Sequence, residues 1–352
     1  MNDFNREMLI AARESRRLTQ TELSRDSKIS QAEISKFETG LRIPTDEQVR
    51  KLSACLQYPV SFFYLTESIR DFGSGCVYHR KKKAAPEAVV KQLLAVVNIK
   101  RIQVKHLLQA VESVAEYSFE QLDIDEHGHN AAKVAQALRS IWTLPPGPVQ
   151  NVIQTIENAG GIVFPYDFGT DKIDALSQWL PAMPPLFLVN KRIPVDRLRF
   201  TLAHEIGHIV MHRYPTEEME READEFAAEF LMPERDIRHQ LSYVTLAKLA
   251  ALKPYWRVSM NALLKRASDL GTITPRIKSY LWMQMGQHGY RTHEPVEIAA
   301  ETPSLLNELI NVHKHNLAFG SQELAETMHA NENEVIREYL GAHESGKLRL
   351  MR

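Results

Sequence analysis

The sequence lacks the features that mark secreted, membrane-spanning and strongly basic proteins. It has two cysteines in 352 residues, too few to cross-link a chain of this length, which excludes a disulfide-rich secreted scaffold. The formal net charge is -1, so any contact with DNA must come from a local patch. No apolar run approaches the roughly 20 residues that span a bilayer, and the charged N-terminus has no apolar core of a signal peptide. These absences predict a cytoplasmic protein with no membrane partner.

The hydrophobic periodicity changes along the chain. Up to about residue 70, apolar positions recur at helical spacing, with glycine and proline between short segments. A stretch at 71–85, with flexible glycines and a basic run at 80–83, is typical of a linker. Short β-prone runs then follow a long helical pattern, and helix returns after Pro194. These runs are residues 161–165, 175–180 and 185–189. We therefore expect a small sheet between two helical regions.

The strongest chemical signal is the string HEIGH at residues 204–208. His204 and His208 are four positions apart, so they stand on one helix face and both imidazoles can reach one zinc ion. Glu205 lies at the edge of that face, where its carboxylate can act on water without being a ligand. Apolar neighbours indicate that the helix is buried, and buried histidines need a partner. A metal site therefore explains the string better than a chance match on a solvated helix.

A catalytic zinc takes three protein ligands and leaves a fourth position open. The next helical pattern, EREADEFAAEFLMP, places Glu220 and Asp224 on its apolar, inward stripe. Glu222, Glu225 and Glu229 share another stripe, which we expect to face solvent. Glu220 is therefore the predicted third ligand, and Asp224 is predicted to hydrogen-bond a ligating histidine.

His212 continues the stripe of the two histidines by one more turn. It can be a ligand, a donor to the transition state or a group behind a ligand. Equally, it can be a cation that the dipole favours at a helix C-terminus. We therefore predict His212 as a candidate catalytic residue in addition to Glu205. His212 and Tyr214 are the two candidates for stabilising the oxyanion.

Two segments, RFTLAHEIGH at 199–208 and EREADEFAAEFLMP at 220–233, together resemble the ImmA/IrrE family of metallopeptidases. The resemblance covers roughly residues 130–240. It implies that His204, His208 and Glu220 are zinc ligands and that Glu205 is the catalytic glutamate. Members of the family cleave, or cause the loss of, repressors of the helix-turn-helix type. Relatives occur in mobile elements, stress responses and toxin–antitoxin loci.

Residues 19–40 have the pattern of a helix, a tight turn and a second helix. Thr19 can cap the first helix, with Glu22 completing a capping box. Ser30 can cap the second helix with Glu33 in the matching position, and Gly40 suits its C-terminal end.

Residues 6–64 as a whole resemble the helix-turn-helix domain of the Xre and lambda-repressor type, through the strings LTQ, ISKFETG and RIPT. This geometry inserts the start of the second helix into the major groove. Acidic and basic residues nearly balance in this domain, so a helix bundle that docks a protein is the alternative to DNA binding. The basic run at 80–83 can supply the positive charge that the domain lacks, or it can be part of a solvated linker. The predicted DNA-binding residues are Gln20, Ser30, Gln31, Ala32, Ser35, Lys36 and Arg42.

Two further features belong to the C-terminal part of the chain. Residues 321–340 have a helix, turn and helix pattern with many acids, which favours a dimerisation or partner-binding element over a second DNA reader. The helical stretch 241–285 contains Trp256 and Trp282, which we expect in the core rather than at a cofactor site.

Together these patterns predict a multidomain protein. An all-α helix-turn-helix domain at 1–70 and a linker at 71–85 precede an α+β, zincin-like metallopeptidase domain at 86–240 and a helical region at 241–352. The predicted function is that of a zinc-dependent endopeptidase and transcriptional regulator. It would form a homodimer on operator DNA and act on a protein partner such as a repressor or a toxin. The alternative is a non-catalytic, antitoxin-like regulator whose metal domain senses a ligand or docks a partner.

Overall fold

A computed structural model describes residues 3–69, 86–111 and 115–340. The predicted linker at 71–85, with its basic run, lies outside the described residues. The first helices are α1 (Arg6–Ser15), α2 (Gln20–Ser27), α3 (Gln31–Thr39), α4 (Asp46–Leu56), α5 (Glu87–Leu107), α6 (Ala131–Ile141) and α7 (Val152–Asn158). The strands are β1 (Ile162–Tyr166), β2 (Ala175–Gln178) and β3 (Leu186–Asn190). Then follow α8 (Val195–Met211), α9 (Met219–Leu231), α10 (Glu234–Ile237), α11 (Leu246–Trp256), α12 (Met260–Asp269), α13 (Pro275–Gln287), α14 (Leu305–Asn316), α15 (Ser321–Thr327) and α16 (Glu332–Val335).

The described residues form two compact units. Residues 3–69, 86–111 and 305–340 make up the first unit, and residues 115–304 make up the second. These units divide the chain differently from the predicted domain boundaries, which stay a prediction. Helix α5 falls in the first unit because its Ile99 and Ile102 pack in the same apolar cluster as Met8 and Phe37 of the N-terminal helices. No helix among the described residues is long and apolar enough to cross a bilayer.

The first unit begins with a helix-turn-helix whose local signals act as predicted. The Thr19 hydroxyl accepts the backbone N–H of Glu22, and the Glu22 carboxylate accepts the N–H of Thr19, which completes a capping box at the start of α2. Ser30 caps α3, and Gly40 ends it in the left-handed region at φ 78°. The fully buried side chains of Leu23 and Ile34 hold α2 and α3 together.

The C-terminal segment 321–340 belongs to this first unit. Buried Lys100 of α5 forms an ion pair with Glu338 and lies 4.8 Å from the ring centre of Tyr339. Arg16, the residue directly after α1, forms a second ion pair with Glu334. The segment is thus tied to the core of its own unit, and its role in dimerisation or partner binding stays a prediction.

The second unit contains a three-stranded sheet in the order β1-β3-β2, among the described residues. β1 pairs with β3 in parallel, and β2 pairs with β3 antiparallel, as an edge strand. The inward side chains Val163, Ala175 and Phe187 share a core with Leu202 and Ile206 of α8. The sheet therefore packs on the helix that carries the HEIGH string, which confirms the predicted α+β arrangement.

Close packing of α8 against α9 depends on Gly207. A Cβ at this position would lie 3.0 Å from the ring of Phe226 on α9, tighter than ordinary contact. Glycine in the middle of a helix costs about 0.5–1 kcal/mol relative to alanine. Here it lets α9 approach α8, which brings the acids of α9 beside the histidines of α8.

The two tryptophans of the helical C-terminal stretch have different environments. Trp256 is fully buried, as predicted. The prediction for Trp282 is wrong, because 39% of its surface is exposed and its ring lies under the guanidinium of Arg291, at 4.4 Å. The sequence could not separate the two because both lie in helical patterns with apolar neighbours.

Candidate metal centre

Three side chains from α8 and α9 converge on one point. His204 Nε2 lies 2.9 Å from His208 Nε2. The Glu220 carboxylate completes the group, with Oε1 at 3.4 Å from His208 Nε2 and Oε2 at 3.6 Å from His204 Nε2. Ligand atoms of the three residues all lie within 4.8 Å of one another. These are the three residues that helical spacing selects as a ligand set, brought together by the contact of two helices.

The donor atoms of this trio fit a cation. Asp224 Oδ1 is 2.9 Å from His204 Nδ1, and since a carboxylate only accepts, Nδ1 carries the proton and Nε2 presents a lone pair. Glu220 Oε1 is buried and has no hydrogen-bond partner among the described residues. A buried carboxylate oxygen without a donor is costly, and a divalent ion beside Glu220 would satisfy it.

A second chain of contacts lies behind His208. His208 Nδ1 is 3.0 Å from His212 Nδ1, and His212 Nε2 is 3.0 Å from Glu222 Oε2. His212 is the residue at which α8 ends, and its backbone has already turned to an extended conformation. The turn aims its ring back at His208, so both ring nitrogens of His212 are occupied by protein contacts.

Burial controls the protonation of the centre. It lowers the pKa of His212 to about 3, with a further contribution from the neighbouring histidines, and it lowers the pKa of His208. Burial thus favours the neutral imidazole at His208 and His212, and the neutral form is the one in which a histidine binds a metal ion.

Glu205 is held by a residue of the sheet. Ser177 Oγ on β2 donates a hydrogen bond to Glu205 Oε2 at 2.5 Å, and both residues are almost fully buried. Sequence reasoning assigned no role to Ser177. Alternation in β2 favours Leu176 for the core side and so did not point to Ser177, but the structure buries the face that Ser177 shares with Ala175, and a buried polar residue needs a partner.

Glu205 lines an open cleft with a volume of about 1180 Å³. Asp224 and Phe200 line the same cleft, and residues that follow α9 in the chain, including Trp282 and Arg291, supply another wall. Such a volume suits a segment of polypeptide, and ligand clefts typically combine apolar walls with a few polar groups.

The expectation that Glu222 and Glu229 face solvent is wrong, whereas Glu225 is exposed. Glu229 is 2% exposed and forms a buried ion pair with Arg266. Its carboxylate also accepts the backbone N–H of Glu234. Helical spacing shows which acids share one face of α9, but it does not show which residues of neighbouring elements pack against that face.

The two candidate oxyanion donors lie in different places. His212 is 6% exposed and occupied by His208 and Glu222, which favours support of a ligand over contact with a substrate. Tyr214 is 78% exposed, just beyond the end of α8. A catalytic role for either residue stays a prediction.

The predicted DNA-binding residues lie at the start of α3 or close to it in the chain, with Gln20 at the start of α2 and Arg42 just after α3. Ser30, Gln31, Ala32, Lys36 and Arg42 are exposed. Gln20 and Ser35 are half-buried. The Gln31 amide nitrogen donates to Gln20 Oε1 at 2.8 Å, which links the starts of α2 and α3. Arg42 forms an ion pair with Glu33, which offsets part of its charge toward DNA.

Comparison with known families gives two matches. Residues 157–268 match the model of the peptidase M78 family, an IrrE N-terminal-like domain. Residues 9–63 match a helix-turn-helix model. A search of curated proteins found no match to the chain. The chain therefore carries a helix-turn-helix DNA-binding domain followed by a metallopeptidase-like domain, which confirms both resemblances and their order.

Proposed function

We propose that the protein is a zinc-dependent endopeptidase and a DNA-binding transcriptional regulator in one cytoplasmic chain. The observation that carries the enzymatic part is the convergence of His204, His208 and Glu220 on the helix pair that also carries Glu205, a residue that lines a cleft. A site with only a structural role would not need an acid placed next to the ligands and outside the ligand set.

The donor set supports zinc as the ion. Two imidazole nitrogens and one carboxylate oxygen form a ligand set that catalytic zinc sites use, with the fourth position left open. When bound, zinc polarises a carbonyl group and lowers the pKa of water to about 7, so that hydroxide is available at neutral pH. His204, His208 and Glu220 would hold it.

Glu205 is proposed as the general base. Ser177 occupies Oε2, which leaves Oε1 to accept a proton from the attacking water. The same oxygen can then deliver that proton to the leaving amine when the peptide bond breaks. Because Ser177 holds the carboxylate on the sheet side, Glu205 keeps one geometry during both transfers.

The first unit is proposed to read an operator. The exposed start of α3 would enter the major groove, with Gln31 toward base edges and Lys36 toward phosphates. One such helix covers a half-site, so we propose that the protein binds as a homodimer on an inverted repeat.

The proposed substrate is a helix-turn-helix repressor or a partner encoded with the protein. A peptidase fused to a DNA-binding domain works at high effective concentration toward proteins bound at the same operator. An unrestrained endopeptidase would damage its host, so we propose that activity requires a signal that favours the competent state.

Co-expression with the encoded partner tests this function. The wild type and Glu205→Gln, which keeps the shape of the side chain but removes the base, are compared by mass spectrometry of the partner. We expect a cleavage product with the wild type alone. Intact partner in both, with repression preserved, would favour the antitoxin-like regulator instead.

A further inference from the structure

The chain of contacts behind His208 determines which of its ring nitrogens can bind a metal. A neutral imidazole has one N–H and one lone pair, and the hydrogen bond at one nitrogen fixes the other. For His204 this is done directly by Asp224. His208 has no carboxylate within reach of Nδ1 among the described residues, and contacts His212 there instead.

The direction of each hydrogen bond follows from Glu222. Its carboxylate accepts, so His212 Nε2 carries the proton of the 3.0 Å contact. The neutral His212 ring then presents a lone pair at Nδ1, so His208 Nδ1 must donate across the other 3.0 Å contact. His208 Nε2 is left with its lone pair, and it lies 2.9 Å from His204 Nε2 and 3.4 Å from Glu220 Oε1, at the point where the three candidate ligands converge.

Burial makes this the preferred arrangement of the protons. The side chains of His208 and His212 are 1% and 3% exposed, and that of Glu222 is 13% exposed. Water therefore has little access to replace a lost partner, and a mismatched proton would leave two buried groups without a hydrogen bond.

We propose that Glu222 is a positioning residue that acts through His212 to hold His208 in the tautomer that binds the metal. This inference rests on the proposed metal centre. It gives a role to an acid that helical spacing places on a solvent-facing stripe. Groups that orient a ligating histidine typically change metal affinity by about 10–100-fold when they are removed.

The first test reads the proton positions in the metal-free full-length protein by nitrogen NMR of isotope-labelled histidine. We expect His208 as the Nδ1–H tautomer and His212 as the Nε2–H tautomer. Glu222→Ala should release a fraction of His208 to the Nε2–H tautomer, and Glu222→Gln should restore the wild-type state because its amide oxygen still accepts. A wild-type protein with His208 as the Nε2–H tautomer would overturn the inference without any variant.

The second test measures zinc affinity by competition with a chelator. Glu222→Ala should bind zinc about 10–100-fold more weakly than the wild type, with Glu222→Gln close to the wild type. Glu225→Ala is the matched control, because Glu225 lies on the same helix, is exposed and pairs with Arg221. Equal affinity in Glu222→Ala and the wild type would refute the positioning role and leave the zinc site standing. Absence of zinc binding by the wild type would refute the proposed function itself.

Discussion

Ser177 on the edge strand β2 donates a hydrogen bond to Glu205 on α8 at 2.5 Å. The sheet thus determines the position of the acid next to the candidate ligands, although it contributes no ligand itself. A hydrogen bond to a charged group contributes about 1.5–3 kcal/mol, enough to hold a carboxylate in one rotamer.

The Ser177 contact predicts a defect in turnover rather than in metal binding. Ser177→Ala should lower kcat about 10–100-fold, since each 1.4 kcal/mol is a factor of about ten. KM and zinc content should stay at wild-type values, because Ser177 contacts no ligand. Ser177→Thr keeps a hydroxyl and should recover part of the rate. A change in KM alone would show that Ser177 contacts substrate instead.

The ligand set predicts one zinc per chain. His204→Ala and Glu220→Ala should each lose bound zinc in elemental analysis, because either change leaves two donors. Glu225→Ala, five residues beyond Glu220, should retain it. Full occupancy in both ligand variants would place the metal elsewhere.

The start of α3 predicts two distinct effects on DNA binding. Gln31→Ala should relax base preference at one position, at a cost of about 1–3 kcal/mol for the preferred base. Lys36→Ala should weaken binding to all sequences and reduce the salt slope by about 1. Both are measured by titration of operator and unrelated duplexes at several salt concentrations.

Lys51→Ala is the matched control for Lys36→Ala. Lys51 is an exposed cation of α4 that pairs with Glu47 four residues earlier. Its loss should leave both affinity and salt slope near the wild type. If Lys51→Ala and Lys36→Ala change affinity and salt slope equally, Lys36 acts through the overall charge of the domain and not through a contact between α3 and a phosphate.

The buried ion pair between Glu229 and Arg266 predicts a large loss of stability. Glu229→Ala leaves the guanidinium of Arg266 buried without its partner, which typically costs about 3–5 kcal/mol. The exposed Glu225→Ala should change the free energy of unfolding by less than about 0.5 kcal/mol. Urea titrations of the two variants measure the difference. Similar stabilities would mean that the carbonyl of Met232, to which Arg266 already donates, is a sufficient partner for the guanidinium.

Local signals in the sequence predicted much of the fold and the convergence of the three candidate ligands. Thr19 and Gly40 mark helix ends by chemistry that involves only nearby backbone groups. The spacing of His204 and His208 fixes their common face without reference to any other element. Glu220 required one more inference, that the apolar stripe of α9 faces α8, and the structure places it there.

The remaining features depend on partners from distant parts of the chain. Glu222 turns inward because the end of α8 brings His212 to it, and Glu229 because α12 brings Arg266. Neither partner is visible in the spacing of α9. Trp282 is exposed because Arg291 and the cleft, rather than the core, lie beside it. Patterns within one helix report the face of a residue, and tertiary contacts decide what that face meets.

The most direct test of the central claim is to identify the N-termini of all proteins in cells that express the wild type and in cells that express Glu205→Gln, and to compare the two sets. The account predicts new internal N-termini in at least one partner protein, present with the wild type and absent with Glu205→Gln, at equal zinc content and equal expression. Identical sets of N-termini under the conditions that relieve repression would contradict proteolysis by this site.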